Sequence, residues 1–100
     1  MPRPDWDQAV VRLAPRVVVQ TIGGEGLLLN LQTEAVFALN ESGVRVAEQL
    51  ALGRSVPTIV AALTDVYGIA RDQIAADVAG LLEALLARGL IVVERSVGGR

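Results

Sequence analysis

The N-terminal part of the chain alternates short apolar runs with polar turns. Residues 16–22 read RVVVQTI and are rich in β-branched side chains, which favour strands. A glycine-rich turn at 23–26 follows them. Two further apolar runs, 27–31 and 35–39, then flank a polar loop at 32–34. Apolar runs joined by short loops are typical of antiparallel hairpins, so the pattern predicts a three-stranded antiparallel meander.

After the third strand the apolar positions recur at helical spacing. Asn40 is a preferred helix N-cap, and it precedes a first predicted helix over residues 42–51. Ser55 is a second predicted N-cap, for a helix that stops at Tyr67. A third helix is predicted over residues 71–88. Strands grouped first and helices second indicate an α+β domain, and the helices also resemble a helix-turn-helix arrangement.

The two ends of the chain are expected to lie outside this core. Residues 1–14 contain two prolines and mixed charges, so we expect a flexible N-terminal arm that Trp6 anchors on the core. Residues 90–94 leave the third helix as an apolar, strand-like tail, and the six residues after them are expected to fray. A length of 100 residues corresponds to a single domain, with its core at about 15–93.

The third predicted helix has a wide apolar face. Two adjacent stripes cover about half of its circumference, more than the roughly 100° that faces one core. The stripes are Ile74, Val78, Leu81 and Leu85, and beside them Ala75, Ala79, Leu82 and Leu86. Two interpretations stay open: a central helix buried on several sides, or a helix that also lines a groove beside the sheet. Asp77 and Arg88 flank the margin near Leu81, either solvated or facing a charged partner.

The composition removes most catalytic chemistry. The chain has no Cys and no His, and all nine basic residues are Arg. Thiolate metal sites, a His general base and Schiff-base chemistry are therefore excluded. The Gly-rich segment 23–26 joins two strands and so lacks the helix N-terminus of a phosphate loop. These observations predict a protein that is not an enzyme, with no cofactor and no metal.

Charge and hydropathy narrow the partners further. The formal net charge of −2 does not resemble the basic surface of a nucleic-acid-binding protein. No apolar run reaches the length of a membrane span, so we expect a cytoplasmic protein without a membrane partner. A sheet of three strands has a free edge, and a free edge is able to bind a peptide by strand addition.

The ordered combination of these segments resembles the PqqD-like proteins, the recognition elements of ribosomally synthesised and post-translationally modified peptides (RiPPs). The resemblance covers about residues 15–93. It is carried by residues 26–40, the following helix with Gly43, GRSVPTIVAAL at 53–63, YGI at 67–69, ADV at 76–78 and LLARGLIVV at 85–93. It implies a winged-helix-like fold and a non-catalytic chaperone that presents a precursor peptide to a modifying enzyme or leader peptidase.

The resemblance also implies a binding site. In this family the leader segment of the precursor adds as an extra strand against the third strand and is clamped by the third helix. The implied peptide-binding residues are Glu34, Ala35, Val36, Phe37, Ala38 and Leu39 on the strand, and Asp77, Val78, Leu81, Leu82, Leu85 and Arg88 on the helix.

The chain departs from the family pattern in two places, and the second departure affects the expected pathway. Ala70 stands where the family often has an Asp N-cap ahead of the third helix. The hairpin also lacks the Pro-Glu pattern of members in the pyrroloquinoline quinone pathway. A precursor of a lasso peptide, or one modified by a radical SAM enzyme, fits equally well or better. The alternatives left open are a winged-helix DNA-binding regulator and a structural subunit that self-associates through its free edge.

Overall fold

The computed structural model describes residues 5–94, which form two antiparallel sheets and three helices. The elements in chain order are β1 (Val10–Leu13), β2 (Val17–Ile22), β3 (Glu25–Asn30), β4 (Val36–Leu39), α1 (Glu41–Ala51), α2 (Val56–Tyr67), α3 (Arg71–Ala87) and β5 (Ile91–Glu94). One sheet has the order β2-β3-β4, and the other pairs β1 with β5. The expected α+β architecture is confirmed, with two strands beyond the predicted meander.

The strands of the larger sheet lie where the hairpin pattern predicts them, although the first turn is shorter than the predicted 23–26. β3 already begins at Glu25, opposite Ile22, so the turn holds only Gly23 and Gly24. Gly23 has a φ of 66°, in the left-handed region that glycine adopts without a Cβ penalty. The second loop contains Glu34, whose φ of 67° places a residue with a Cβ in the same region.

The predicted helix starts are confirmed by their caps. The side chain of Asn40 accepts a hydrogen bond from the Gly43 amide, and the side chain of Ser55 accepts one from the Thr58 amide. At the start of α3, Ala70 supplies no side-chain cap. The helix boundaries therefore follow from short polar side chains that satisfy the first free amides of α1 and α2.

The prediction of a flexible N-terminal arm is wrong for the residues nearest the core. Val10–Leu13 forms β1 and pairs antiparallel with β5, in the register Val11↔Val93. The two partners are far apart in the sequence, so no local pattern revealed the pairing. Trp6 is 9% exposed and belongs to the core, as expected of an anchor. The remaining predictions for residues 1–4 and 95–100 lie outside the described residues.

The core is almost entirely aliphatic and lies between the inner face of the large sheet and the helices. Leu28 of β3, Ile59 of α2 and Leu82 of α3 are completely buried within it. Two apolar residues at helix ends lie outside this core: Val66 is 52% exposed at the end of α2, and Ala51 is exposed at the end of α1. Within residues 5–94, none of the helices combines the length and the apolar character that a membrane crossing requires.

Candidate binding groove beside the edge strand

β4 is an edge strand of the large sheet, and its backbone has a free side. The amide of Asn30 donates to the Ala35 carbonyl at 2.9 Å, which identifies this pair as a hydrogen-bonded pair of the β3-β4 ladder. Hydrogen-bonded pairs alternate along an antiparallel ladder, so the next ones are Leu28↔Phe37 and Gly26↔Leu39. Val36 and Ala38 therefore direct their N–H and C=O groups away from β3.

The other side of β3 supports this assignment. The Leu31 amide donates to the Arg16 carbonyl at 2.9 Å, and in the β2-β3 register this makes Val18↔Leu29 a hydrogen-bonded pair. Leu29 thus directs its backbone groups toward β2 and has none to offer Val36. The free edge consequently offers two N–H donors and two C=O acceptors, which a peptide strand is able to pair with.

A groove runs along this edge toward α3. A cavity of about 290 Å³ lies between the end of β4 and Leu81 of α3. A second cavity of about 270 Å³ adjoins it between α1, α2 and α3. The first is lined by Phe37, Ala38, Leu39, Asn40, Gly43 and Leu81. Asn40, Gly43 and Leu81 line both cavities, so the two form one continuous groove.

The junction of the two cavities depends on the start of α1. Gly43 lies there in the first turn of the helix, and its amide donates to the Asn40 side chain at 2.9 Å. A Cβ at position 43 would lie 3.1 Å from Leu39 Cδ2 and 3.3 Å from Asn40 Oδ1. The glycine therefore allows the cap and the strand to approach the helix closely, and it keeps the junction open.

Arg88 connects the two walls of the groove at the other end. It follows α3 as the C-cap residue, and its guanidinium carbon lies 5.4 Å from the centroid of the Phe37 ring. This distance is within the range of a cation–π interaction. The end of α3 is also tied to the sheet, because the Asn30 side-chain amide donates to the Gly89 carbonyl at 3.2 Å. The Arg88–Phe37 contact and the Asn30–Gly89 hydrogen bond thus set the spacing between the sheet and the end of α3.

The predicted site residues separate into those that line the groove and those that support it. Phe37, Ala38, Leu39, Asp77, Val78 and Leu81 line it. Val36 lies on the free edge with a 49% exposed side chain. Leu82 and Leu85 require a correction, because both are completely buried in the core and line neither cavity. Each stripe of α3 reaches the core, one through Leu85 and the other through Leu82, while Leu81 lines the groove.

Sequence reasoning missed several residues that shape the groove, among them Asn30, Tyr67 and Val46. Asn30 is a buried polar residue whose Oδ1 accepts from the amides of Gln32 and Thr33, which holds the loop before β4. An Asn at a strand end before polar residues is a recognised turn signal. Tyr67 and Val46 line the second cavity, and no local pattern distinguishes them from ordinary helix residues.

The groove is suited to apolar side chains with few polar contacts. Two of the three aromatic residues of the chain, Phe37 and Tyr67, line it and are only partly buried. The Tyr67 hydroxyl is buried and has no hydrogen-bond partner among the described residues, which leaves a polar atom available beside the second cavity. Residues 5–94 contain no group of three or more carboxylates arranged to hold a metal ion.

Comparison with known proteins gives one family match and two similar solved structures. The chain matches the family model of coenzyme PQQ synthesis protein D (PqqD) over residues 25–91. It is similar to the solved structure of TbiB1 in complex with the TbiA(beta) leader peptide, with 31% identity, a TM-score of 0.75, and coverage of 80% of this chain and 93% of that chain. The comparison with curated proteins found no match.

A second solved structure shares the fold. It is a lasso peptide synthetase B1 complexed with the leader peptide, with 24% identity and a TM-score of 0.73. The similarity covers 83% of this chain and 98% of that chain, so it extends over most of the domain.

Proposed function

Because the chain belongs to the PqqD family, we propose that it binds the leader segment of a RiPP precursor peptide by strand addition to β4. The observation that carries the proposal is the free backbone of Val36 and Ala38 beside an apolar groove. The two similar structures are leader-peptide complexes, one of them of a lasso peptide synthetase B1. A lasso peptide precursor is therefore the proposed class of ligand.

The binding mode has two parts with different roles. Backbone hydrogen bonds along β4 hold any extended peptide, whatever its sequence. Alternate side chains of that peptide point to the same side as Phe37 and Leu39 and enter the groove, where they determine which sequence is accepted. A well-buried Leu- or Ile-sized side chain contributes on the order of 1.5–3 kcal/mol before the peptide's ordering is taken into account.

The proposed role is non-catalytic presentation of the precursor. The groove contains a carboxylate and a guanidinium at its ends and no nucleophile–base pair. The protein binds the leader and delivers the attached precursor to a modifying enzyme or a leader peptidase. This role agrees with the absence of His, Cys and Lys from the sequence.

Titration tests the proposal directly. The probe is a fluorescein-labelled synthetic leader from the precursor peptide encoded beside this protein, and the readout is fluorescence anisotropy. We expect saturable binding in the micromolar range or tighter, and no saturation with a scrambled peptide of the same composition. Absence of binding by the native leader at micromolar concentrations would overturn the proposal for that precursor.

Two matched variants locate the site on α3. Leu81→Arg places a charge where both cavities meet, and it should abolish binding. Leu86→Arg makes the same change on the same helix at a 37% exposed position that lines neither cavity, and it should bind normally. Equal loss of affinity in both variants would contradict a groove at Leu81.

A further inference from the structure

One row of residues on α3 is charged at its two ends and apolar between them. The row consists of Asp77, Leu81 and Ala84 of α3 and of Arg88, its C-cap residue. Asp77 and Arg88 are eleven positions apart. At about 100° of helical rotation per residue, eleven steps end within roughly 20° of the starting direction, so both side chains lie on the same face. Asp77 and Arg88 are exposed, whereas Leu81 and Ala84 are partly buried. The groove wall is therefore negative at one end and positive at the other.

The negative end is set by Asp77. It lines the second cavity together with Tyr67 and Ile74. Arg45 also lies close to this cavity, 5.9 Å from the Tyr67 ring centroid. It pairs with Glu41, with Arg45 Nη2 3.6 Å from Glu41 Oε2. Asp77 forms no ion pair within residues 5–94, so no residue of that range neutralises its charge.

The positive end is set by Arg88. Its guanidinium rests over the Phe37 ring, a contact that holds it beside β4 without neutralising its charge. Arg88, like Asp77, forms no ion pair with another residue of the described range. β4 runs from this end toward Asn40, which lines the same cavity as Asp77.

The two charges set a distance along the bound peptide. Eleven residues of helix rise about 16 Å, and a strand advances about 3.3 Å per residue. For a peptide strand that follows the groove along α3, this separation corresponds to about five residues. This inference rests on the proposed function: we propose that the bound leader carries a basic side chain beside Asp77 and an acidic side chain beside Arg88, about five residues apart in its sequence.

A charge scan of the leader tests this pairing. Each Asp, Glu, Lys and Arg of the synthetic leader is replaced singly by Gln or Asn, and each peptide is titrated against the wild-type protein, Asp77→Asn and Arg88→Gln. Asp72→Asn is the control, because Asp72 is exposed in the first turn of α3 and lines neither cavity. The cycle separates charge pairing from the loss of the Arg88–Phe37 contact.

The expected result is specific coupling at two peptide positions. Neutralising one basic residue should raise the Kd about threefold for the wild type and leave it unchanged for Asp77→Asn. One acidic residue should behave in the same way with Arg88→Gln. Both effects should shrink in high salt, because exposed pairs are screened. If the peptide runs antiparallel to β4, the basic residue is N-terminal to the acidic one. If it runs parallel to β4, the order is reversed. Either order supports the proposal.

Three results would overturn the inference. The first is a leader that binds with no charged position coupled to Asp77 or Arg88, and the second is coupling between positions separated by fewer than about four or more than about six residues. The third is equal coupling with the Asp72→Asn control. A leader that does not bind at all would overturn the proposed function, and this inference with it.

Discussion

Replacing Val36 with Pro provides the sharpest test of strand addition. Proline removes the backbone N–H of residue 36, which the β3-β4 ladder does not use. Proline is tolerated in edge strands whose N–H faces outward. We therefore expect the free energy of unfolding to change by no more than about 1 kcal/mol. The peptide carbonyl that would accept from Val36 loses its donor and stays unpaired beside the groove.

The size of the binding defect follows from that unpaired group. A partly desolvated polar group left without a partner costs about 1–3 kcal/mol. A loss of about 2 kcal/mol corresponds to a roughly thirtyfold increase in Kd. Fluorescence anisotropy with the labelled leader measures the change in affinity, and urea unfolding followed by circular dichroism measures the change in stability.

The neighbouring residue and a side-chain truncation supply the controls. Phe37→Pro removes an N–H that faces Leu28 inside the sheet and also deletes a partly buried ring, so it should destabilise the fold by about 2–4 kcal/mol. Val36→Ala keeps the amide and trims a half-exposed side chain, so its affinity should change little. An unchanged Kd for a folded Val36→Pro would refute strand addition, and a stable Phe37→Pro would refute the amide assignment.

Two further predictions concern the elements that frame the groove. Asn30→Asp keeps an acceptor for the Gln32 and Thr33 amides but loses the donor to the Gly89 carbonyl. Urea unfolding should therefore show a free energy of unfolding lower by about 1–3 kcal/mol. Stability equal to the wild type would show that this link between β3 and the end of α3 contributes nothing. Ala70→Asp supplies the missing cap of α3 and should stabilise the protein by about 0.5–2 kcal/mol. Ala70→Asn is the uncharged comparison, and Ala70→Val is the variant that cannot cap. Equal stability of all three variants would contradict capping as the cause.

Local sequence signals were sufficient where a short segment determines its own structure. The β2-β3-β4 meander follows from turn glycines and β-branched runs, and the helix starts follow from Asn40 and Ser55. Each of these signals acts over a few residues, through backbone conformation or a single side-chain hydrogen bond. The absence of Cys, His and Lys is likewise a property of the sequence alone.

The pairing of distant segments was not accessible in this way. β1 pairs with β5 across most of the chain, and nothing in residues 10–13 indicates which strand would receive them. The same limit applied to α3, where periodicity placed Leu81, Leu82 and Leu85 on one wide apolar face. Only the packing of α3 against the core shows that Leu82 and Leu85 are buried while Leu81 faces the groove.

The sequence thus determined most of the elements, their order and the absence of thiol, imidazole and amine chemistry, whereas the tertiary structure decided the groove. Its width depends on the Asn30–Gly89 hydrogen bond and the Arg88–Phe37 contact, which join residues far apart in the chain. Its free edge depends on the register that turns the Val36 amide outward. Both are consequences of how elements meet, and a residue's own neighbours in sequence do not encode them.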